Sequence, residues 1–275
     1  MIRRLLRNNL TDNQKKRIHA IIKRISYWKE SVKGGGLYRE KLLLRLLQIH
    51  YQSKIRRQWS LSPAPPHFFE QRVGVFDFAF TESTRGATAY SRGFYSAEMI
   101  RDGDKLLDIG CGDGFFSRRF FQEKCSAIDA IDIESSAIET AKRFNHSPKI
   151  NYQEMDITAG ELPARDYDVV VWDGAIGHFS AESMKSMLTK IKKSMKSDGV
   201  FTGSESIGFA GYDHLQQFYS LEDFHKLFKN YFRYVQLKSV SYRAGIFHIS
   251  DDRTEGFWRC SDSSDRLNES GWKQF

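Results

Sequence analysis

The stretch Lys105-Leu106-Leu107-Asp108-Ile109-Gly110-Cys111-Gly112-Asp113-Gly114-Phe115-Phe116-Ser117 decides how the rest of the chain is read. It opens as an apolar, strand-like run. Three alternating glycines then let the backbone turn tightly and let a ligand approach the N-terminus of the helix that follows. A second apolar run ends on an acid, in Ala130-Ile131-Asp132-Ile133-Glu134, with Asp132 standing 22 residues after Gly110. An acid at that distance from a strand–glycine loop–helix unit accepts hydrogen bonds from both hydroxyls of an adenosine ribose. The nicotinamide pattern G-x-G-x-x-G would need glycine at 115, where Phe115 stands; the pattern here is D-x-G-x-G-x-G.

Outward from this unit the pattern is regular. Lys105–Ile109, Ala127–Ile131, Ile150–Gln153, Asp168–Trp172, Val200–Gly203 and Tyr234–Ser241 read as strands, and residues 114–124, 135–145, 180–197 and 220–229 as helices. Strands alternating with helices predict an α/β domain with a doubly wound, mostly parallel sheet, whose ligand sits at the carboxyl ends of the strands. This domain is expected to occupy residues 90–275.

Upstream the character changes. Residues 1–60 carry 16 lysines and arginines against 3 acids, and the remainder carries 26 against 31, so the net +8 belongs to an extension and not to the body. Ile18, Ile21, Ile22, Ile25, Trp28 and Val32 recur at helical spacing, Gly34-Gly35-Gly36 breaks that helix, and Leu42, Leu43, Leu46, Leu47 and Ile49 mark a second. The basic pattern runs through two helices, which argues against a transit peptide. Pro63, Pro65 and Pro66 set a boundary. Residues 1–62 thus read as a basic amphipathic helical extension, and 63–89 as an aromatic-rich linker with the position of a lid. Three cysteines without a C-x-x-C pair argue against a disulfide framework and a zinc site, and for a reducing, cytoplasmic setting. No apolar run is long enough to cross a membrane.

Taken together, these motifs resemble the class I S-adenosylmethionine-dependent methyltransferases, over roughly residues 90–260. The resemblance implies a seven-stranded Rossmann-like sheet with S-adenosyl-L-methionine as cofactor. It assigns cofactor contacts to Asp108, Gly110, Cys111, Gly112 and Gly114 in the loop, to the ribose acid Asp132 with Ile133 beside the adenine, to Asp156 and Ile157 after strand three, and to Asp173 after strand four. Each acid also has a purely architectural reading: Asp108 as an organiser of the turn, Asp156 as a cap of the helix behind it. Arg92, by default a surface arginine, is the alternative partner for the cofactor's carboxylate.

An alcohol acceptor must lose a proton as it is methylated, so a base is expected. His178, in Asp173-Gly174-Ala175-Ile176-Gly177-His178-Phe179, borders the expected methyl position, and His214 follows strand five. The loop lacks the Asn-Pro-Pro-aromatic signature of the family's DNA-amino-methylating members, and no carboxylate cluster suggests a metal. The expected reaction is O-methylation of a small-molecule or glycan/lipid-linked acceptor. The basic helices then suit an anionic membrane surface, giving a cytoplasmic, membrane-associated protein. Weighed beside this are packing of the leucine faces on the domain, RNA methylation with nucleic acid held by the same helices, and a cofactor-binding protein without turnover.

Overall fold

The computed structural model describes residues 87–210, 214–243, 252–267 and 271–275, together with Leu42, Leu43, Leu46, Ile49 and Thr84. The extension and linker readings, 1–62 and 63–89, otherwise lie outside the described residues. The chain divides into two compact units, Met1–His50 and Tyr51–Phe275. In the first, Leu42, Leu43, Leu46 and Ile49 are helical and exposed.

The second unit runs α1 (Thr88–Ala97), β1 (Lys105–Ile109), a π-helical turn (Ser117–Phe121), β2 (Ala127–Asp132), α2 (Ser135–Phe144), β3 (Ile150–Glu154), β4 (Tyr167–Asp173), a 3-10 turn (Ile176–His178), α3 (Ala181–Ser194), β5 (Met195–Ile207), α4 (Leu221–Phe228), β6 (Tyr234–Tyr242), β7 (Arg253–Ser261) and β8 (Lys273–Gln274). The sheet has eight strands in the order β3-β2-β1-β4-β5-β7-β6-β8. The first five pair in parallel; β7 inserts antiparallel between β5 and β6, and β8 is a two-residue edge. Strand order reverses between β1 and β4, so their carboxyl ends frame the crevice where such sheets bind ligands.

Alternation along the central strands feeds two cores. Leu107, Ile109, Val170 and Trp172 meet Met184, Met187, Leu188 and Ile191 of α3 and Phe224 and Phe228 of α4. Leu106, Val169 and Val171 face the other way, onto Phe121 and onto Ile138 and Ala141 of α2. The period of two along each strand puts both faces under apolar cover, as a parallel sheet requires. Helix ends are closed locally: the Glu134 carboxylate accepts from the Ser136 amide at 3.3 Å, and Ser180 Oγ from the Ser183 amide at 3.2 Å.

The structure corrects the sequence expectations in the second half of the sheet. The helix expected over 180–197 ends at Ser194, and β5 begins at Met195, because Tyr167 of β4 pairs with Met195 before a bulge shifts the register. The sheet has eight strands where seven were expected, and neither β7 nor the short edge strand β8 was assigned from sequence; β7 is the informative case. It is buried on both faces, with Glu255 and Arg259 inside, so it shows no alternation to read.

Candidate active site

The glycine loop is set by backbone conformation and one tyrosine. Gly110, Gly112 and Gly114 have φ of +68°, +56° and +73°, a region where a side chain is strained. A Cβ on Gly114 would also stand 2.4 Å from the Tyr152 hydroxyl. Tyr152 donates to the Asn145 carbonyl at 3.0 Å, and Asn145 Nδ2 donates to the Asp113 carbonyl at 2.6 Å, which ties the loop to β3 and the end of α2. Gly110 is exposed, whereas Cys111, Gly112, Asp113 and Gly114 are buried. Burial, reinforced by Asp108, Asp132 and Asp113, pushes the Cys111 thiol up, so it is inert as a nucleophile.

Asp132 closes the other side. Its Oδ2 accepts from the Gly112 amide at 2.8 Å and its Oδ1 from the Glu134 amide at 2.9 Å. Burial raises its pKa, and these amides oppose the rise. Beside it Ile133 is 67% exposed at the carboxyl edge of the sheet. Asp156 is exposed, and its Oδ1 accepts from the Thr158 hydroxyl at 2.6 Å and the Thr158 amide at 2.8 Å; these bonds lower its pKa. Asp156 therefore organises its own turn, and Ile157 is a core residue.

Asp108 is buried at the end of β1 and accepts from the Ser117 hydroxyl. Burial pushes it up to about 7, Ser117 opposing and Asp173 and Asp132 adding to the rise. Asp173, at the end of β4, accepts from Ser204 Oγ at 2.9 Å and Ser96 Oγ at 3.1 Å. Burial pushes it up to about 6 against the pull of Arg92. Arg92 is not a surface residue. It is buried and donates from Nε to Glu255 Oε1 at 2.7 Å. Its guanidinium occupies the space a side chain at Gly174 would need, where a Cβ would lie 2.1 Å from Nη1. Committed to the buried carboxylate of β7, it holds architecture together instead of reaching outward.

The two histidine candidates come together. His178 ends the 3-10 turn and is exposed; the His214 ring packs over Gly177, whose added Cβ would lie 2.3 Å from His214 Cδ2. The ring centroids are 4.2 Å apart and tilted by 43°. Behind them stands Glu205 of β5, which the sequence reading missed. Its Oε2 accepts from the Gly177 amide at 3.1 Å, its Oε1 from the Ser206 amide at 2.7 Å, and Oε1 lies 3.7 Å from His214 Nε2. Burial alone would raise Glu205; His214, Arg92 and the two amides bring it down to about 2. The signal available was a charged residue in Ser204-Glu205-Ser206, directly after the apolar run of strand five.

Residues 106–199 match the methyltransferase-domain family. A phosphoethanolamine N-methyltransferase of Plasmodium falciparum is 29% identical over 136 residues, 48% of this chain and 51% of that protein. Two solved structures share the fold: the N-methyltransferase NodS of Bradyrhizobium japonicum (TM-score 0.51, 16% identity, 62% of this chain and 96% of that one) and the [4+2]-cyclase SpnF (TM-score 0.52, 12% identity, 66% and 84%). The chain spans about half or less of the length of the curated relatives it matches first. The glycine loop and Asp132 both lie within the matched segment. Over residues 106–199, about a third of its length, the chain is similar to the methyltransferase-domain family.

Proposed function

We propose that the protein transfers the methyl group of S-adenosylmethionine to a hydroxyl of a small-molecule or glycan/lipid-linked acceptor. The observation that carries the cofactor reading is the Asp132 carboxylate, docked on the Gly112 amide at 2.8 Å. An ionised carboxylate has about four acceptor positions. The amides of Gly112 and Glu134 fix the carboxylate, and its remaining acceptor positions are assigned to the ribose hydroxyls. Gly110, exposed and with only Ala175 Cβ near an added Cβ at 3.5 Å, leaves the backbone open to a ligand. Ile133 offers an apolar surface to the adenine, and Asp156, exposed just past β3, is the acid assigned to its amino group. The buried carboxyl of Asp108 and the partly buried one of Asp173 shape the loop and the β4 end.

When bound, S-adenosylmethionine supplies an electrophilic methyl on a sulfonium. The protein's task is alignment, which can contribute roughly 7–11 kcal/mol to lowering the barrier, and proton removal, worth about 10²–10⁴-fold. His178 and His214 are the side chains for the second task. The relative that acts on phosphoethanolamine supports a second reading, a nitrogen acceptor at the same site.

For the extension, the helical and exposed Leu42, Leu46 and Ile49 support an anionic membrane surface as partner. On this reading the enzyme works at the cytoplasmic face of a membrane. Release of S-adenosylhomocysteine is the test, measured with alcohol, amine, glycan and RNA acceptors. We expect turnover on a hydroxyl acceptor, and losses of about 10²–10⁴-fold in His178→Ala or His214→Ala with cofactor affinity retained. Salt-sensitive methylation of RNA, with none of the other acceptors used, would overturn the acceptor class.

A further inference from the structure

Glu205 is a buried carboxylate on a sheet strand, and none of the cofactor contacts uses it. Three elements converge on it. The 3-10 turn brings the Gly177 amide, β5 brings the Ser206 amide, and the segment after β5 brings His214. The Gln216 amide donates to the Gly177 carbonyl at 3.0 Å, and Gln216 Nε2 donates to the Phe179 carbonyl at 2.9 Å, so the His214 segment is pinned to the turn that carries His178. The absent side chain at Gly177 is what lets the His214 ring lie there.

We infer that Glu205, His214 and His178 act as one unit, in which Glu205 keeps a proton on His214 and the exposed His178 ring faces the acceptor. This rests on the methyl-transfer reading and assigns its proton path. Two imidazolium rings with centroids 4.2 Å apart repel. With Glu205 beside it, a protonated His214 belongs to a neutral pair, and the charge that would oppose a proton arriving on His178 is cancelled. In the transfer, the acceptor's O–H proton passes to a ring nitrogen of His178. The electron pair left on oxygen forms the new bond to carbon, and sulfur keeps the pair of the bond that breaks. Glu205 is the positioning residue and His178 the catalytic one.

Other charged groups face this unit. Arg92 from α1 and Asp173 from β4 lie close enough to interact with each other, and Arg92 is bonded to Glu255 of β7, which also takes Arg253 Nε at 2.7 Å. Arg92 also acts on Glu205, whose carboxylate lies 3.7 Å from His214 Nε2. The unit therefore predicts a specific sensitivity to position 205.

The test is a pH titration of the histidine ring signals by NMR on the full chain without cofactor, assigned with His178→Gln and His214→Gln. In Glu205→Gln, which keeps an acceptor for the Gly177 amide and loses the charge, the His214 midpoint should fall by at least one pH unit, about a tenfold loss of proton affinity. Glu205→Asp should retain most of it, and the exposed His146 should not move. An unchanged His214 midpoint in folded Glu205→Gln overturns the inference. Where that variant does not fold, Gly177→Ala is read instead, since it pushes the ring off the carboxylate; again an unchanged midpoint is fatal. Because no cofactor is present, this outcome is independent of whether S-adenosylmethionine binds.

Discussion

At residue scale, glycines separate conformational from steric cost. Gly103, at φ +88° with nothing among the described residues within 4 Å of an added Cβ, and Gly114, at φ +73° against the Tyr152 hydroxyl, are matched in the first and opposed in the second. Gly103→Ala should cost roughly 1–2 kcal/mol of unfolding free energy. Gly114→Ala should cost about 3 kcal/mol or more, because Tyr152 must also leave its bond to Asn145. Equal losses in urea denaturation would show that the loop is not clamped by Tyr152. Asp108 makes a pH prediction. Its carboxyl ordinarily titrates at 3.8 and here near 7, so between those values the folded state binds more protons than the unfolded one. Stability therefore drains away as pH rises through that window. Asp108→Asn removes the effect, and its stability relative to the native protein should improve from pH 5 to pH 7; parallel curves would contradict the burial assigned to Asp108. Glu205, held near 2, works in the opposite sense and loses its contribution as pH falls from its ordinary 4.5. Asp132 was legible because its position follows from a short, local spacing. Glu205, Arg92 and Glu255 were not, since each takes its meaning from a partner brought by a distant strand.

At the scale of elements, α1 and β7 depend on one another. Arg259 of β7 is wholly buried, pairs with Glu98 at the end of α1, donates to the Tyr95 carbonyl at 3.3 Å and lies 3.8 Å over the Trp272 ring. Removing the carboxylate strands a buried cation, whereas removing the cation leaves an acid that is already half exposed. Glu98→Ala should therefore cost about 1–2 kcal/mol, discounted for solvent at Glu98. Arg259→Met, which keeps an unbranched stem against Trp272, should cost less. The reverse order in thermal or chemical unfolding would refute the pairing as the link between these elements. The same two elements were the ones the sequence hid. Thr88–Ala97 lies in aromatic-rich sequence without a clean stripe, and Arg253–Ser261 is buried on both faces with charges inside. The parallel strands, by contrast, showed their apolar runs and glycine punctuation openly.

For the whole molecule, the sheet order explains how the candidate site is assembled. Setting β1 beside β4 and β4 beside β5 gathers at one edge the glycine loop, Asp132, Asp173, the two histidines and Glu205, which are scattered over a hundred residues of chain. The order in which those strands pair was readable only through the family resemblance, and the approach of His214 to His178 was not readable at all. Charge is partitioned at the same scale: 16 basic residues against 3 acidic in residues 1–60, and an acidic balance elsewhere. Deleting residues 1–60 should abolish binding to anionic vesicles and leave cofactor affinity unchanged, as co-sedimentation and titration would show; vesicle binding that survives the deletion would place the lipid contact on the catalytic domain. The most direct measurement is calorimetric titration of S-adenosylmethionine into the native protein and into Asp132→Ala. Binding to the native protein, weakened at least tenfold in the variant (about 1.4 kcal/mol), is the expected result. Equal affinity in the two, or no binding to the folded native protein, would contradict the assignment of the Gly110–Gly114 loop and Asp132 as the cofactor site.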